Sequence, residues 1–179
     1  MAKLSDKKVA ILTHDYFEQE EFTAPLRALQ EAGAQVDIIS AADKELHGLH
    51  HVNKADTFAA DLLIEEADPE EYDAVILPGG VVNADHLRIN EIAQEFVNVL
   101  YEDGKIVAAI CHAPWLLVSS GMVRGSTLTS YPTLQDDIRN AGGIWEDSEV
   151  VVHDNLITSR KPADIPAFNR AIIEGLAAS

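Results

Sequence analysis

Short apolar runs alternate along the chain with stretches in which apolar residues recur at helical spacing. Runs such as KVAILT at 8–13 and YDAVIL at 72–77 are nearly continuous, which is typical of strands buried on both faces. The segment 46–59 has mixed polarity and turn residues, so we expect a hairpin or an irregular excursion there. The predicted strands are 8–13, 35–40, 72–77, 105–110, 150–152 and 156–158, and the predicted helices are 23–33, 91–101, 115–120, 134–141 and 163–177.

The alternation of strands and helices predicts how the chain is organised. Strands separated by helices of about ten residues form a mostly parallel sheet with helices on both faces. The 179 residues contain no internal repeat, no low-complexity segment and no linker. We therefore expect one α/β domain that spans residues 1–179.

The excess of acidic residues makes some classes of binding partner unfavourable. Thirteen Lys and Arg residues against thirty Asp and Glu residues give a formal net charge of −17. This field repels phosphate backbones and anionic lipid, so neither nucleic acid nor a membrane is an expected partner. No apolar run approaches the roughly 20 residues of a membrane span. Because the N-terminus also lacks the apolar stretch of a secretory signal, we expect a cytoplasmic location.

The chain has one cysteine, Cys111, which excludes an internal disulfide and a metal site built from several thiolates. No glycine loop of the phosphate-binding kind occurs in the sequence. The adjacent His50 and His51 lack the companion spacing of a metal site. We therefore expect neither a cofactor nor a metal, and the value of Cys111 lies in packing or in reactivity.

Cys111 lies where the predicted strand 105–110 passes directly into a helix. A sharp turn at this place lifts a side chain above the sheet, and the positive end of the helix dipole is expected to lower the pKa of a thiol there. Gly79 and Gly80 follow the predicted strand 72–77, which a parallel sheet places beside 105–110. Their backbone amides could face a developing oxyanion. Two plainer interpretations stay open: a small buried cysteine and an ordinary Pro-Gly-Gly turn.

Glu18 and Glu21 belong to an acidic segment after the first predicted strand, and their spacing places both on one face if the segment is helical. Such a run is usually a solvated helix start. A carboxyl buried against Cys111 would instead have its pKa raised, stay protonated and donate a hydrogen bond to the thiolate.

Two of these motifs together resemble the DJ-1/PfpI superfamily, and its PfpI-like branch in particular. They are Leu77-Pro78-Gly79-Gly80 and Ala109-Ile110-Cys111-His112-Ala113-Pro114. Further matches are Glu21 four residues before Pro25, Thr129-Ser130-Tyr131-Pro132, Asp136-Asp137 before Asn140-Ala141-Gly142, and Ser159-Arg160 before Pro162-Ala163-Asp164. Glutamine amidotransferases share the cysteine turn, but the chain lacks their Gly-x-Cys-x-Gly motif and their late His-Pro-Glu.

The resemblance implies a flavodoxin-like three-layer sandwich with a mostly parallel central sheet. It implies that Cys111 is the nucleophile with His112 beside it, that Glu21 hydrogen-bonds the cysteine, and that backbone amides at Gly80 and His112 form the oxyanion hole. Glu18 is the weaker second glutamate. PfpI-like proteins complete a Cys-His-acid arrangement with a carboxylate from a neighbouring subunit. Asp85 matches that position, although the chain has one extra residue after Gly80 and Asp where Glu also occurs.

Three functions follow as hypotheses. The first is a stress-response enzyme that acts on small reactive carbonyls such as methylglyoxal, as a glyoxalase or deglycase. The second is an intracellular cysteine peptidase, which would need Asp85 across the interface of a homo-oligomer, a dimer or larger. The third is a redox sensor or holdase chaperone that works through oxidation of Cys111.

Overall fold

The computed structural model describes residues 4–179, which form a central sheet, two small sheets and six α-helices. The strands are β1 (Lys8–Thr13), β2 (Phe17–Glu18), β3 (Gln35–Ser40), β4 (Glu45–His50), β5 (Asn53–Ala59), β6 (Leu62–Leu63), β7 (Ala74–Leu77), β8 (Ile106–Ile110), β9 (Thr127–Leu128), β10 (Ile144–Trp145), β11 (Val150–His153) and β12 (Leu156–Ser159). The helices are α1 (Gln19–Glu31), α2 (Val81–Arg88), α3 (Glu91–Glu102), α4 (Pro114–Ser119), α5 (Gln135–Asn140) and α6 (Ile165–Ala178).

The central sheet has seven strands in the order β11-β12-β8-β7-β1-β3-β6, and only the β11–β12 pair is antiparallel. β7 lies between β1 and β8, with Val75 paired to Ala10 and to Val107. Because these three strands are parallel, their carboxyl ends meet at one edge of the sheet. That edge carries the segments after Thr13, Leu77 and Ile110.

Successive side chains of each strand point to opposite faces of the sheet, so each buried strand supplies two cores. In β1, Ala10 and Leu12 belong to the core beneath α2–α5, whereas Val9 and Ile11 belong to the core beneath α1 and α6. The result is three layers with a double-faced, nearly all-apolar sheet in the middle. The expected three-layer sandwich with a mostly parallel sheet is confirmed.

Several elements differ from the sequence expectations or refine them, and the two-residue strands β2, β6, β9 and β10 were not expected. The segment 46–59 is the expected hairpin, since β4 and β5 pair antiparallel. α1 begins at Gln19 rather than at 23, so Glu21 lies within its first turn. α2 was not expected, because its polarity pattern is mixed and it follows directly after Gly80. Among residues 4–179 no helix combines the length and the apolar character that crossing a membrane requires.

Candidate active site

A pocket of about 540 Å³ opens at the carboxyl edge of the sheet, above the end of β8. It contains the cysteine, both candidate glutamates and the histidine that follows the cysteine. Its lining residues are Glu18, Glu21, His51, Val52, Gly80, Val81, Cys111, His112, Tyr131, Lys161, Pro162 and Ala163. The sheet therefore brings together most of the site residues that the sequence indicated.

Cys111 sits on a strained turn between β8 and α4. Its φ is 64°, a left-handed conformation that residues other than glycine rarely adopt. The turn is held from both sides, because the Cys111 amide donates to the carbonyl of Ser159 at 3.0 Å and the Cys111 carbonyl accepts from the amide of Tyr131 at 2.8 Å. The side chain reaches the pocket although the residue is only 8% exposed.

His112 places a neutral imidazole beside the sulfur. Its Nδ1 lies 3.2 Å from Sγ of Cys111, and its ring stacks on Tyr131 with ring centroids 4.6 Å apart. Nε2 is 3.5 Å from the hydroxyl of Thr133. Burial lowers the pKa of His112, so the ring is uncharged at neutral pH and can accept a proton.

Glu21 is a fully buried carboxyl beneath the sulfur. Its Oε2 accepts a hydrogen bond from the amide of Gly79 at 2.8 Å. Its Oε1 has no partner of regular hydrogen-bond geometry, and the Cys111 thiol interacts with this carboxyl. Burial raises the pKa of Glu21 to about 8, with negative charge on Glu18 acting in the same direction. The carboxyl is therefore protonated at neutral pH and can act as a donor, as expected for a carboxyl buried in this place.

The expected lowering of the pKa of Cys111 is wrong for the free chain. Burial raises the pKa of this thiol, and negative charge on Glu21 raises it further, while the amides of Gly80 and His112 lower it. The helix that follows, α4, has only six residues, and the effect of its dipole is smaller than the cost of burial. Because Glu21 is protonated below about pH 8, its repulsion is absent at neutral pH. His112, whose Nδ1 lies 3.2 Å from Sγ, is the candidate group to take the thiol proton.

Gly79 and Gly80 have different tasks. A Cβ on Gly79 would lie 2.7 Å from Cβ of Cys111 and would also collide with Glu21, so only glycine fits there. The Gly79 amide is already bonded to Glu21, which corrects the expectation that it serves an oxyanion. Gly80 has a φ of 91°, and its amide is directed at the sulfur, which leaves the amides of Gly80 and His112 as the candidate oxyanion donors.

Glu18 lines the pocket but does not approach the sulfur as Glu21 does. Its Oε2 accepts from the amide of His51 at 3.0 Å, so it fastens the β4–β5 hairpin to the pocket rim. Its amide donates to the Gly79 carbonyl at 3.2 Å. Glu18 therefore shapes the entrance instead of joining the reacting groups.

Asp85 lies on an exposed face of α2, outside the pocket of its own chain. The structure thus does not bring it to His112 within one chain. Its expected role concerned a neighbouring subunit, and that role stays a prediction.

The sequence analysis missed two groups at the site, Tyr131 and Lys161. Tyr131 stacks on His112, and its motif had been noticed without a role being assigned. Lys161 is the one lysine or arginine among the lining residues and follows Arg160 in a second noticed motif. Within residues 4–179, no group of three or more His, Cys, Asp or Glu side chains is arranged to hold a metal ion.

Known proteins share this fold and match this chain over most of its length. The sequence profile of the DJ-1/PfpI family matches residues 7–175. A deglycase of Thermococcus kodakarensis is 41% identical over 167 residues, which cover 93% of this chain and 98% of that protein. A Bacillus subtilis protein named as a candidate cysteine protease, YraA, is 39% identical over 92% of this chain and 95% of its own length.

A solved structure agrees with these sequence matches. A two-domain protein from Anabaena variabilis, which contains DJ-1/ThiJ/PfpI-like and ferritin-like domains, superposes with a TM-score of 0.88 at 37% identity. The superposition covers 95% of this chain and 48% of that longer protein.

Proposed function

The chain belongs to the DJ-1/PfpI family, and from that membership we propose that it is a stress-response deglycase. Its substrates would be adducts of small dicarbonyls, such as methylglyoxal, on amines and thiols. The observation that carries the proposal is that two groups contact Cys111: the buried carboxyl of Glu21, whose pKa is raised to about 8, and the His112 imidazole, whose Nδ1 lies 3.2 Å from the sulfur. An acid and a base that both contact a nucleophile are what carbonyl chemistry requires.

The first step transfers the adduct from its carrier to the sulfur. Sγ of Cys111 attacks the carbinol carbon, a carbon–sulfur bond forms, and the bond from that carbon to the carrier nitrogen or sulfur breaks. His112 Nδ1, 3.2 Å from Sγ, takes the thiol proton and returns it to the departing amine or thiol. A hemithioacetal on Cys111 remains, and the amides of Gly80 and His112 face its oxygen.

The second step converts the hemithioacetal into an acid. His112 removes the proton from the carbinol carbon, and Glu21 protonates the neighbouring carbonyl oxygen, so an enediol forms. His112 returns its proton to the former carbonyl carbon, and Glu21 takes back a proton from the hydroxyl on the carbon that bears sulfur, which gives a thioester of lactate and restores both groups. Water hydrolyses this thioester, which releases lactic acid and restores the thiol. The sum is one adduct and one water converted into one free carrier and one lactic acid.

Lactate release from a preformed adduct tests the proposal. The protein is incubated with the hemithioacetal of N-acetylcysteine and methylglyoxal, and lactate and free thiol are measured together. We expect the two products in equal amounts, and we expect prior iodoacetamide treatment to stop their formation because Cys111 is the one cysteine.

The same assay separates a deglycase from a glyoxalase. A dicarbonyl scavenger is added so that free methylglyoxal stays low while the adduct is present. Turnover of a deglycase persists under these conditions, whereas turnover of a glyoxalase stops. Reduced, unalkylated protein that forms no lactate with or without the scavenger contradicts both activities.

A cysteine peptidase is the second candidate function, and the contacts of His112 are the reason to consider it. Nε2 of His112 lies near the hydroxyl of Thr133 and not near a carboxylate of its own chain, so a carboxylate from a neighbouring copy would be needed to complete a Cys-His-acid arrangement. We propose that the protein is a homo-oligomer in which Asp85 of one copy orients His112 of another. Val81 and Val82 on the same helix are 53% and 40% exposed and would lie against the neighbouring copy.

Asp85→Asn tests this arrangement. We expect the variant to keep the oligomeric mass of the wild type in light scattering and to lose activity by about ten-fold or more, because an orienting carboxylate holds the imidazole in its working tautomer. Glu91→Gln, on the next helix, is the control and keeps full activity. A strictly monomeric wild type with full activity would overturn the proposal that a neighbouring copy completes the site.

Redox sensing is the weaker third candidate. Burial raises the pKa of the Cys111 thiol, and oxidation by peroxides proceeds through the thiolate. We also propose that the protein works in the cytoplasm, where a lone cysteine is kept reduced.

A further inference from the structure

Asn83 is a fully buried amide that lies outside the pocket lining and has no role in the steps described above. It belongs to the first turn of α2, and its side chain makes hydrogen bonds with both ends of the amide. Nδ2 donates to the carbonyls of Pro78 and Gly79, at 2.8 and 2.9 Å. Oδ1 accepts from the amide of His14 at 2.7 Å and from the hydroxyl of Thr13 at 3.0 Å.

These four bonds connect the carboxyl end of β1 with the loop after β7. That loop carries the Gly79 amide, which holds Glu21, and the Gly80 amide, which faces the sulfur. The loop has little stiffness of its own, since two consecutive glycines have the widest backbone freedom of any residue pair. The Asn83 side chain thus fixes two successive carbonyls of the loop from outside the pocket lining.

We infer that Asn83 is a positioning residue that sets the direction of the Gly80 amide toward the sulfur of Cys111. Pinning the Pro78 and Gly79 carbonyls fixes the planes of the peptides that follow them, and the peptide after Gly79 contains the Gly80 N–H. The part of this inference that concerns an oxyanion formed during catalysis rests on the proposed function. The part that concerns the free thiol is independent of that function, because the Gly80 amide lowers the thiol pKa in the absence of substrate.

The chemistry of the site requires an amide rather than a group of similar shape. Two carbonyl oxygens face Nδ2, so the group there must donate twice, while Oδ1 meets two donors and must accept. An aspartate has the same shape but would direct a carboxylate oxygen at two carbonyl oxygens. Only its protonated form could donate, and then only once.

Asn83→Asp is therefore the informative variant. We expect kcat for lactate release to fall by about ten- to a hundred-fold at neutral pH, which is less than the roughly hundred- to thousand-fold loss when an oxyanion donor is removed outright, with KM changed less than about three-fold. The ratio of variant to wild-type kcat should rise as the pH falls, because protonation restores one donor. A merely structural loss would lower the amount of folded protein without this pH dependence.

A second readout needs no substrate. The rate at which iodoacetamide alkylates Cys111 is measured against pH, and we expect the profile of Asn83→Asp to shift to higher pH because the Gly80 amide no longer favours the thiolate. Asn90→Asp is the matched control: the Asn90 side chain accepts from the amide of Ala93 at 3.0 Å as a helix cap, which aspartate does equally well. This control should leave both the alkylation profile and kcat unchanged.

Thr13→Val provides a milder variant, which removes one of the two donors to Oδ1. If Asn83→Asp does not fold, a shift of the Thr13→Val alkylation profile in the same direction supports the inference. Unchanged alkylation profiles in the folded variants overturn it, whatever the substrate is. If the wild type forms no lactate while the profiles shift, the deglycase proposal fails and the positioning role of Asn83 stands.

Discussion

Replacing Cys111 by serine is expected to lower lactate release by at least about a thousand-fold. The serine hydroxyl is nearly isosteric with the thiol, but it is a far weaker nucleophile at neutral pH. No other thiol in the chain can take over, because Cys111 is the one cysteine. The measurement is kcat for lactate formation from the N-acetylcysteine adduct.

The fold of Cys111→Ser should stay intact, which separates loss of chemistry from loss of structure. Cys111 touches the core beneath α1 and α6, and the substitution changes little volume there. Thermal unfolding should lie close to that of the wild type, and mass spectrometry should find no iodoacetamide adduct on the variant. Retention of more than about one per cent of wild-type turnover would show that another group carries the reaction.

Replacing Glu21 by glutamine is expected to stabilise the protein at alkaline pH. The pKa of Glu21 is raised to about 8 in the folded chain from its ordinary 4.5, so the folded state holds a proton that the unfolded chain releases. Its contribution to stability is complete below pH 4.5 and is lost as the pH rises through about 8. The loss is on the order of 5 kcal/mol, because each pKa unit corresponds to about 1.4 kcal/mol.

Glutamine removes this loss without removing the hydrogen bond from Gly79, since its amide oxygen can accept in place of Oε2. The difference in free energy of unfolding between variant and wild type should grow with pH, and denaturant titrations at about pH 5, 7 and 9 measure it. Glu31→Gln, at an exposed position at the end of the same helix, is the control and should show no such trend. A difference that stays constant with pH would mean that Glu21 is ionised in the folded chain.

Sequence reasoning predicted the parts of the site that depend on local pattern. The apolar run before Cys111 marks the strand, and the passage straight into a helix marks the turn, so the position of the sulfur follows from neighbouring residues alone. For Glu21 the sequence left two interpretations open, a solvated helix start and a carboxyl buried against Cys111. The pattern alone could not decide between them, because the outcome depends on where α1 begins. The structure starts that helix four residues earlier than the spacing of Leu26 and Leu29 indicates.

The parts that were missed depend on contacts between distant segments. The raised pKa of Cys111 comes from burial by the whole pocket, whereas the helix dipole is a local feature and was overweighted. Tyr131 reaches His112 only because its segment bonds to the Cys111 carbonyl. α2 has no clear apolar stripe, because Val81 and Val82 are exposed. The sequence pattern therefore did not predict this helix or the burial of the Asn83 amide within it.

The left-handed backbone conformation at Cys111 sets thermal stability against catalytic function. A residue with a Cβ in this conformation costs on the order of 1 kcal/mol, and glycine would avoid the cost. Directed evolution that selects only for resistance to heat would therefore reward the loss of the side chain that is the nucleophile of the proposed reaction. Selection for a more thermostable variant of this enzyme must therefore measure turnover in every round.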